Sequence, residues 1–179
     1  MEYEERTIAS KEIYKGKIIK VRYDEVIIPA GKKSGREIVE HPGGVTIIAV
    51  TDDKKILLVE QYRKAPEENL LELPAGKLEE EEEPVICAER ELLEETGYQA
   101  GKIEYLFSFY TTPGYSNELL HLYYATDLKG AEASPDEDEV ISVHYLKKED
   151  ILLFINTGKI KDSKTIIGLL YYLAGDWDV

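Results

Sequence analysis

Alternating apolar and polar positions dominate the first third of the chain, and this period of two is typical of half-buried β-strands. The alternation runs through residues 18–29 and resumes at residues 36–40, after turn-forming residues at 30–35. Two more apolar runs follow at residues 45–50 and 56–62, with an acidic turn between them. The pattern therefore predicts hairpins of a mixed or antiparallel sheet.

The spacing of apolar residues changes to helical periodicity from Pro84 onward. Proline suits the first turn of a helix, and Val85, Ala88 and Leu92 fall on one face of it. Gly97 is a stop signal, because glycine readily adopts the left-handed conformation that ends many helices. The pattern predicts one helix between Pro84 and Gly97.

The rest of the chain adds further strands and helices. The same criteria predict strands at residues 103–110, 119–126 and 140–146, a turn-rich connection at 111–118, and helices at 148–156 and 163–174. No segment repeats, and no tract rich in Ser, Pro or Gly divides the chain. The sum predicts an α+β fold in which a mixed sheet is flanked by helices in an α/β/α arrangement.

Charge and composition remove several classes of function. Of the 179 residues, 36 are acidic and 22 are basic, and the formal net charge of -14 argues against binding to nucleic acid or to an anionic membrane. The apolar run at residues 166–174 is far shorter than the ~20 residues that span a membrane. Cys87 is the single cysteine, which excludes an internal disulfide and a cysteine-based zinc site. We therefore expect a cytoplasmic protein without a targeting segment.

A dense group of glutamates lies on the predicted helix. At about 100° per residue, Glu91, Glu94 and Glu95 share roughly one quadrant of the helix surface. Their carboxylates repel one another unless a hard divalent cation lies among them, and oxygen ligands suit Mg²⁺ or Mn²⁺. A solvated acidic face without metal is the alternative that the spacing alone leaves open.

Other common catalytic motifs are missing from the sequence. No Gly-Lys pair is followed by Ser or Thr, and neither a G-x-G-x-x-G nor a G-x-S-x-G motif occurs. P-loop, dinucleotide-binding and serine-hydrolase interpretations therefore have no support. His41, His121 and His144 are scattered singly, and a packing or surface role is the simpler interpretation for each.

The segment around the glutamates resembles the Nudix box, G-x5-E-x7-R-E-U-x-E-E-x-G-U, with one departure. The matching residues are Gly76, Glu82, Arg90, Glu91, Leu92, Glu94, Glu95 and Gly97, and Tyr98 stands where the family usually has an aliphatic residue. The resemblance implies the Nudix α/β/α sandwich and Mg²⁺-dependent hydrolysis of a nucleoside diphosphate linked to another group. The metal ligands it implies are Glu91, Glu94, Glu95 and the carbonyl of Ala75, with Arg90 orienting the carboxylates and Glu82 in a supporting role.

Segments outside the box resemble the bacterial and archaeal ADP-ribose pyrophosphatases of that family. These are residues 36–43, 60–63 and 71–76, together with Pro113, which lies 16 positions after Gly97. The substrate-binding set that follows from the resemblance is Arg36, Arg63, Pro113 and Glu118. The two arginines are expected to stack on adenine or to donate hydrogen bonds to phosphate or ribose oxygens, with a surface ion pair as the alternative for each.

An acidic loop at residues 134–139 offers the carboxylate that aims or deprotonates the attacking water. The resemblance places the catalytic glutamate here, and both Glu137 and Glu139 match, with Glu137 preferred. Glu118 or a glutamate of the box is the alternative base.

The resemblance also implies how the whole chain is organised and what it does. Residues 41–179 are expected to form the Nudix domain. Residues 1–40 are expected to form an extra antiparallel β-region that takes part in a homodimer, since the resembling enzymes exchange this region between subunits. The implied reaction uses two or three Mg²⁺ ions, with Mn²⁺ as the alternative metal, and converts ADP-ribose into AMP and ribose 5-phosphate.

Two other interpretations remain open. One is a Nudix hydrolase of a dinucleoside polyphosphate, a nucleotide sugar or a flavin dinucleotide. The other is a module that binds ADP-ribose without cleaving it, which the complete set of box glutamates disfavours.

Overall fold

The computed structural model describes residues 3–131, 133, 140–175 and 177. Within them the chain forms ten β-strands, three α-helices and one short 3-10 helix. In chain order the elements are β1 (Arg6–Lys15), β2 (Lys20–Ile27), β3 (Lys33–Glu40), β4 (Gly44–Ala49), β5 (Lys55–Arg63), β6 (Glu68–Glu72), β7 (Ala75–Lys77), α1 (Pro84–Thr96), β8 (Tyr98–Tyr110), β9 (Leu119–Gly130), β10 (Ser142–Lys147), the 3-10 helix (Lys148–Asp150), α2 (Ile151–Asn156) and α3 (Ser163–Ala174). None of these helices is long and apolar enough to cross a membrane.

The first of two compact units comprises Met1–Gly43 and Tyr110–Leu119. Its three-stranded antiparallel sheet has the order β1-β2-β3. Gly31 takes a left-handed φ of 77° in the connection from β2 to β3. This turn is tighter than the predicted one, so residues 33–35 pair with β2 instead of belonging to the turn.

Strand β1 has no counterpart among the predicted strands. All ten of its residues are exposed, so this strand has no buried side and no alternating pattern. Its pairing with β2 runs from Arg6 opposite Ile27 to Lys15 opposite Lys20. The strand is therefore defined by backbone hydrogen bonds rather than by side-chain burial.

The second unit comprises Gly44–Phe109 and Leu120–Val179, and it contains two sheets. One sheet has the antiparallel order β10-β5-β6. The other has the order β7-β4-β9-β8, in which β4 pairs in parallel with β9 and antiparallel with β7. The sheet is therefore mixed, as the sequence predicts.

Strand β4 lies at the centre of the core of this unit, and all six of its residues are buried. Successive side chains point to opposite faces of a sheet, so β4 contributes to two hydrophobic clusters. Val45 and Ile47 pack with Leu92 of α1, whereas Ile48 packs in the cluster that contains Leu169 of α3. Helices thus cover both faces of the mixed sheet, and the predicted α+β class with α/β/α layers is confirmed.

Candidate active site

Helix α1 holds the glutamates of the motif at fixed positions. The helix starts at Pro84, and it is capped by Gly97, whose φ of 72° is left-handed. Cys87, Ala88 and Leu92 are fully buried in the cluster formed with β4. Because this apolar face is anchored in the core, the polar faces beside it have a fixed direction as well.

Gly76 lies directly against the carboxylate of Glu91. A Cβ atom built on Gly76 overlaps the carboxylate carbon and both oxygens of Glu91. The φ angle of Gly76 is not left-handed, so backbone conformation does not require a glycine here. The glycine that opens the motif is required instead by the space that the Glu91 carboxylate fills.

Glu95 is a buried carboxylate with two described partners. Its exposed fraction is 5%. One oxygen accepts a hydrogen bond from the Ala75 N–H at 2.9 Å, and the other accepts from Nε2 of Gln61 at 3.4 Å. These bonds hold the carboxylate beside the residue whose carbonyl is the predicted backbone ligand. Gln61 was assigned no role from the sequence, although it lies within the matching segment 60–63.

The Arg90 guanidinium joins three carboxylates of the motif. Its Nη1 donates to Glu91 at 2.8 Å and to Glu94 at 2.9 Å, and its Nε donates to Glu82 at 2.9 Å. The hydrogen bond from Arg90 is the main cause that lowers the pKa of Glu82 to about 2. The same bond raises the pKa of Arg90. Arg90 therefore offsets the repulsion among the acidic side chains around it.

The chemistry of the donor set fits a hard divalent cation. Glu91, Glu94, Glu95 and the Ala75 carbonyl offer only oxygen atoms, and Arg90 already places a positive group between two of the carboxylates. Within the described residues, no three Asp, Glu, His or Cys side chains converge on one point as a ready-made metal site. Arg90 bonds one oxygen of Glu91 and one oxygen of Glu94, so the second oxygen of each carboxylate can serve as a metal ligand while these bonds persist.

Arg63 belongs to an ion-pair network around the buried carboxylate of Glu72. Its Nε and Nη2 donate to the two carboxylate oxygens of Glu72 at 2.7 and 2.8 Å, and Lys164 pairs with the same carboxylate. Burial works to raise the pKa of Glu72, but the hydrogen bonds from Arg63 and the charge of Lys164 outweigh it and hold this pKa below its usual range. The edge of the guanidinium formed by Nε and Nη2 is thus committed to Glu72, while 40% of the Arg63 side chain stays exposed.

Arg36 forms the surface ion pair that the sequence left as its alternative. Its Nε donates to Glu5 at 2.8 Å, and its Nη1 donates to Oγ of Ser34 at 2.9 Å and to the Gly35 carbonyl at 2.8 Å. Three of its donor atoms are therefore engaged within the first unit, since Nη2 also pairs with Glu5.

The connection from β8 to β9 positions Glu118 within the first unit. Glu118 accepts a hydrogen bond from Oγ1 of Thr111 at 2.5 Å, and its other oxygen lies 3.6 Å from Nδ1 of His41. Pro113 stands in the turn of this connection. The Val39 N–H donates to the Tyr115 carbonyl at 2.7 Å, which ties the turn to β3.

Tyr98, the one departure from the box, has a role in tertiary structure. Its hydroxyl lies 3.0 Å from the hydroxyl of Tyr145 on β10. A hydrogen bond of this kind is open to a phenol and not to the aliphatic residue that the motif usually has.

The two loop glutamates proposed as the catalytic base, Glu137 and Glu139, lie outside the described residues. Their role stays a prediction from the sequence.

Two family models match the sequence in neighbouring ranges. The NUDIX domain model matches residues 40–166. The model of the nucleoside diphosphate sugar hydrolase N-terminal domain matches residues 5–39.

Known proteins similar to this chain cover nearly all of it. The chain is 46% identical over 171 residues to the methanol dehydrogenase activator of Bacillus methanolicus. It is 45% identical over 170 residues to the ADP-ribose pyrophosphatase of Bacillus subtilis, and both alignments cover 94% of this chain and 92% of the relative. A crystal structure of an ADP compounds hydrolase superposes with a TM-score of 0.84 over 94% of this chain and 92% of that one. At 18% sequence identity, this last likeness concerns the fold alone.

Proposed function

The chain belongs to the NUDIX domain family, and from that premise we propose that it is a metal-dependent hydrolase of ADP-ribose. The reaction splits the pyrophosphate bond and releases AMP and ribose 5-phosphate. Two relatives that carry the name ADP-ribose pyrophosphatase, at 45% and 36% identity over 94% of this chain, support this substrate.

The arrangement of Glu95 and Gly76 is the observation that carries the proposal. Glu95 is a buried acid fixed to the Ala75 N–H, and the next residue, Gly76, leaves room for the Glu91 carboxylate. A solvated acidic face needs neither a buried glutamate nor a glycine against a carboxylate. The geometry therefore supports a metal-binding face over the solvated alternative.

We assign Glu91, Glu94, Glu95 and the Ala75 carbonyl as the groups that hold the metal, and Mg²⁺ as the ion. When bound, the ion neutralises charge on the diphosphate and activates water as a nucleophile. Arg90 keeps Glu91 and Glu94 close together through Nη1, and Glu82 holds Arg90 from the other side. A loop carboxylate, Glu137 in preference to Glu139, accepts the proton of the attacking water.

We propose that Arg63 contacts the substrate through its planar face. Its Nε and Nη2 bind Glu72, so donation from these two atoms to phosphate would break the pair, whereas stacking on a base leaves it intact. Arg36 would have to leave Glu5 to reach a phosphate, which makes it the weaker of the two substrate contacts.

We propose further that the N-terminal sheet pairs with a second copy of the chain. Ile13 and Tyr14 of β1 are 57% and 56% exposed, although both are large and apolar. Ile13 also lines a cleft of about 390 Å³ within the first unit, together with Tyr23 and Tyr115. A homodimer covers such a surface and protects an otherwise open strand edge.

A nucleotide sugar is the second candidate substrate. The family model for residues 5–39 is that of nucleoside diphosphate sugar hydrolases. The two substrates share a nucleoside diphosphate, so the same metal-binding face serves either one.

A cytoplasmic site of action belongs to this proposal as well, and it rests on the single cysteine.

The test is an assay of purified protein with Mg²⁺ and either ADP-ribose or ADP-glucose, followed by separation of AMP. We expect kcat/KM to favour ADP-ribose, and Glu95→Gln to lower kcat by several orders of magnitude, since a ligating carboxylate contributes several kcal/mol of charge stabilisation. Glu89→Gln, an exposed acid on the same helix, is the matched control and should leave kcat unchanged. A loss of less than about tenfold in Glu95→Gln overturns the ligand assignment.

A further inference from the structure

Residues 73–75, which comprise the two-residue link after β6 and the first residue of β7, are bonded to three different elements. The Leu73 N–H donates to Oγ1 of Thr165 on α3 at 2.8 Å. The Pro74 carbonyl accepts from the Ile47 N–H on β4 at 2.9 Å. The Ala75 N–H donates to Glu95 on α1 at 2.9 Å. The position of this short segment therefore depends on a helix that lies on the far side of the sheet from the motif.

The Thr165 hydroxyl uses both its donor and its acceptor capacity. Thr165 is fully buried. Its Oγ1 donates to the Asp162 carboxylate at 2.6 Å while accepting from Leu73. Asp162 is the N-cap of α3 and also accepts from the Thr165 N–H at 3.0 Å. A hydroxyl held at both ends has one orientation, so it fixes Leu73 relative to α3.

The residue before Leu73 is tied to the same end of α3. Glu72 pairs with Lys164, and Lys164 lies 3.0 Å from the Asp162 carboxylate. The first turn of α3 thus holds two successive residues, Glu72 and Leu73, through two different side chains. Pro74 then transmits that position to Ala75 with a restricted φ angle.

We propose that Thr165 is a positioning residue for metal binding. Its hydroxyl holds Leu73 so that the Ala75 carbonyl and the Glu95 carboxylate keep the spacing at which they bind a divalent cation. Thr165 contacts neither metal nor substrate and acts through the backbone of residues 73–75. This inference rests on the metal ligands assigned in the proposed function.

Thr165→Val tests the role of the hydroxyl, because valine keeps the shape and lacks both hydrogen-bonding functions. The buried Leu73 N–H then loses its hydrogen bond to Thr165, and the backbone of residues 73–75 shifts to avoid the cost of an unsatisfied donor. Thr165→Ser keeps the hydroxyl and is the rescue variant. Thr157→Val removes an exposed hydroxyl that bonds to the Leu153 carbonyl of α2, and it serves as the matched control.

The readout is the Kd of Mn²⁺ for the protein without substrate, measured by electron paramagnetic resonance of free Mn²⁺. We expect Thr165→Val to weaken binding by about tenfold or more, as changes around metal ligands do. Thr165→Ser is expected within about twofold of wild type, by the same principle, and Thr157→Val should be unchanged. Circular dichroism and the unfolding midpoint are recorded for every variant.

A purely structural role predicts a different result. If Thr165→Val lowers the unfolding midpoint and binds Mn²⁺ as wild type does, the inference is wrong while the proposed function stands. If wild type itself binds no Mn²⁺, the proposed ligands fail and the inference fails with them. Should Thr165→Val not fold, Asp162→Ala replaces it: weaker Mn²⁺ binding by the folded variant supports the proposal, and unchanged binding overturns it.

Discussion

The contact between Gly76 and Glu91 predicts that adding one methyl group at position 76 will disturb the site. Gly76→Ala places a carbon where the Glu91 carboxylate lies, so the carboxylate must move away from its position beside Arg90. We expect kcat to fall by about ten- to a hundredfold, with Mn²⁺ binding weakened in parallel. Steady-state kinetics and metal titration measure both effects.

Gly130→Ala is the control for that change. A Cβ on Gly130 meets no atom of the described residues within 4 Å, so this variant tests the loss of a glycine without such a clash. Wild-type kcat in Gly76→Ala would show that the carboxylate finds an equivalent place and that the contact does not define the site.

The loop glutamates make the second prediction at this scale. Glu137→Gln is expected to lower kcat by at least about a hundredfold with little change in KM, which is the usual scale for loss of a general base. Glu139→Gln is expected to have the smaller effect. If both variants keep wild-type kcat between about pH 6 and 9, Glu118 or a glutamate of the motif helix becomes the leading candidate for the base.

Single residues of the site could be predicted from sequence where their spacing is local. Glu91, Glu94 and Glu95 share a helix surface, and their relation follows from helical geometry alone. The contacts of Gln61 with Glu95 and of Thr165 with Leu73 span 34 and 92 positions. No periodicity carries information over such separations, and the bonds become visible only when the chain is folded.

Among the elements, those with strong local signals were predicted best. Pro84 and Gly97 delimit α1 as expected, because each acts through its own backbone geometry. Strands β6 and β7 have five and three residues, too few to show a period. Their existence depends on pairing with β5 and β4, which is a tertiary property.

The ion pair between Glu72 of β6 and Lys164 of α3 predicts how the stability of the protein depends on pH. Glu72 has a pKa below its usual value of 4.5, so its ion pairs contribute stability above that pH. This contribution is lost as the pH falls through the lowered pKa of the folded state. Glu72→Gln should lower the free energy of unfolding by about 3 to 5 kcal/mol at neutral pH, since it leaves Arg63 and Lys164 without their partner.

Urea unfolding of wild type and Glu72→Gln at several pH values measures this effect. The difference between the two proteins should be largest above pH 4.5 and should shrink below it. Glu67→Gln, which affects an exposed pair with Lys64, is expected to change stability by less than about 0.5 kcal/mol. A difference independent of pH would contradict the assigned role of the Glu72 charge.

At the scale of the whole molecule, the N-terminal sheet exposes large apolar side chains such as Ile13 and Tyr14. If it pairs with a second copy, Ile13→Glu should convert a dimer into monomers and raise KM, because the charge would be buried at the interface. Deletion of residues 1–29 should have the same effect or cause aggregation. Light scattering and kinetics on the same samples measure both properties.

Leu153→Glu is the matched control for the dimer. Leu153 and Ile13 are both 57% exposed, but Leu153 lies on α2 in the second unit. This variant should keep the mass and KM of wild type. An active monomer with unchanged KM after Ile13→Glu would show that the N-terminal sheet has no part in assembly or in substrate binding.

Arg90 affects the stability of the protein in the absence of metal. The helix carries its own counter-ion, since one guanidinium is shared by Glu82, Glu91 and Glu94. Removing metal with a chelator should abolish activity, because the proposed reaction depends on the ion. Since Arg90 balances the carboxylates without metal, the unfolding midpoint should shift by no more than the loss of a bound ligand explains. The apoprotein should stay folded and regain full activity when Mg²⁺ is added. The concentration of the ion would then regulate activity without a change in folding.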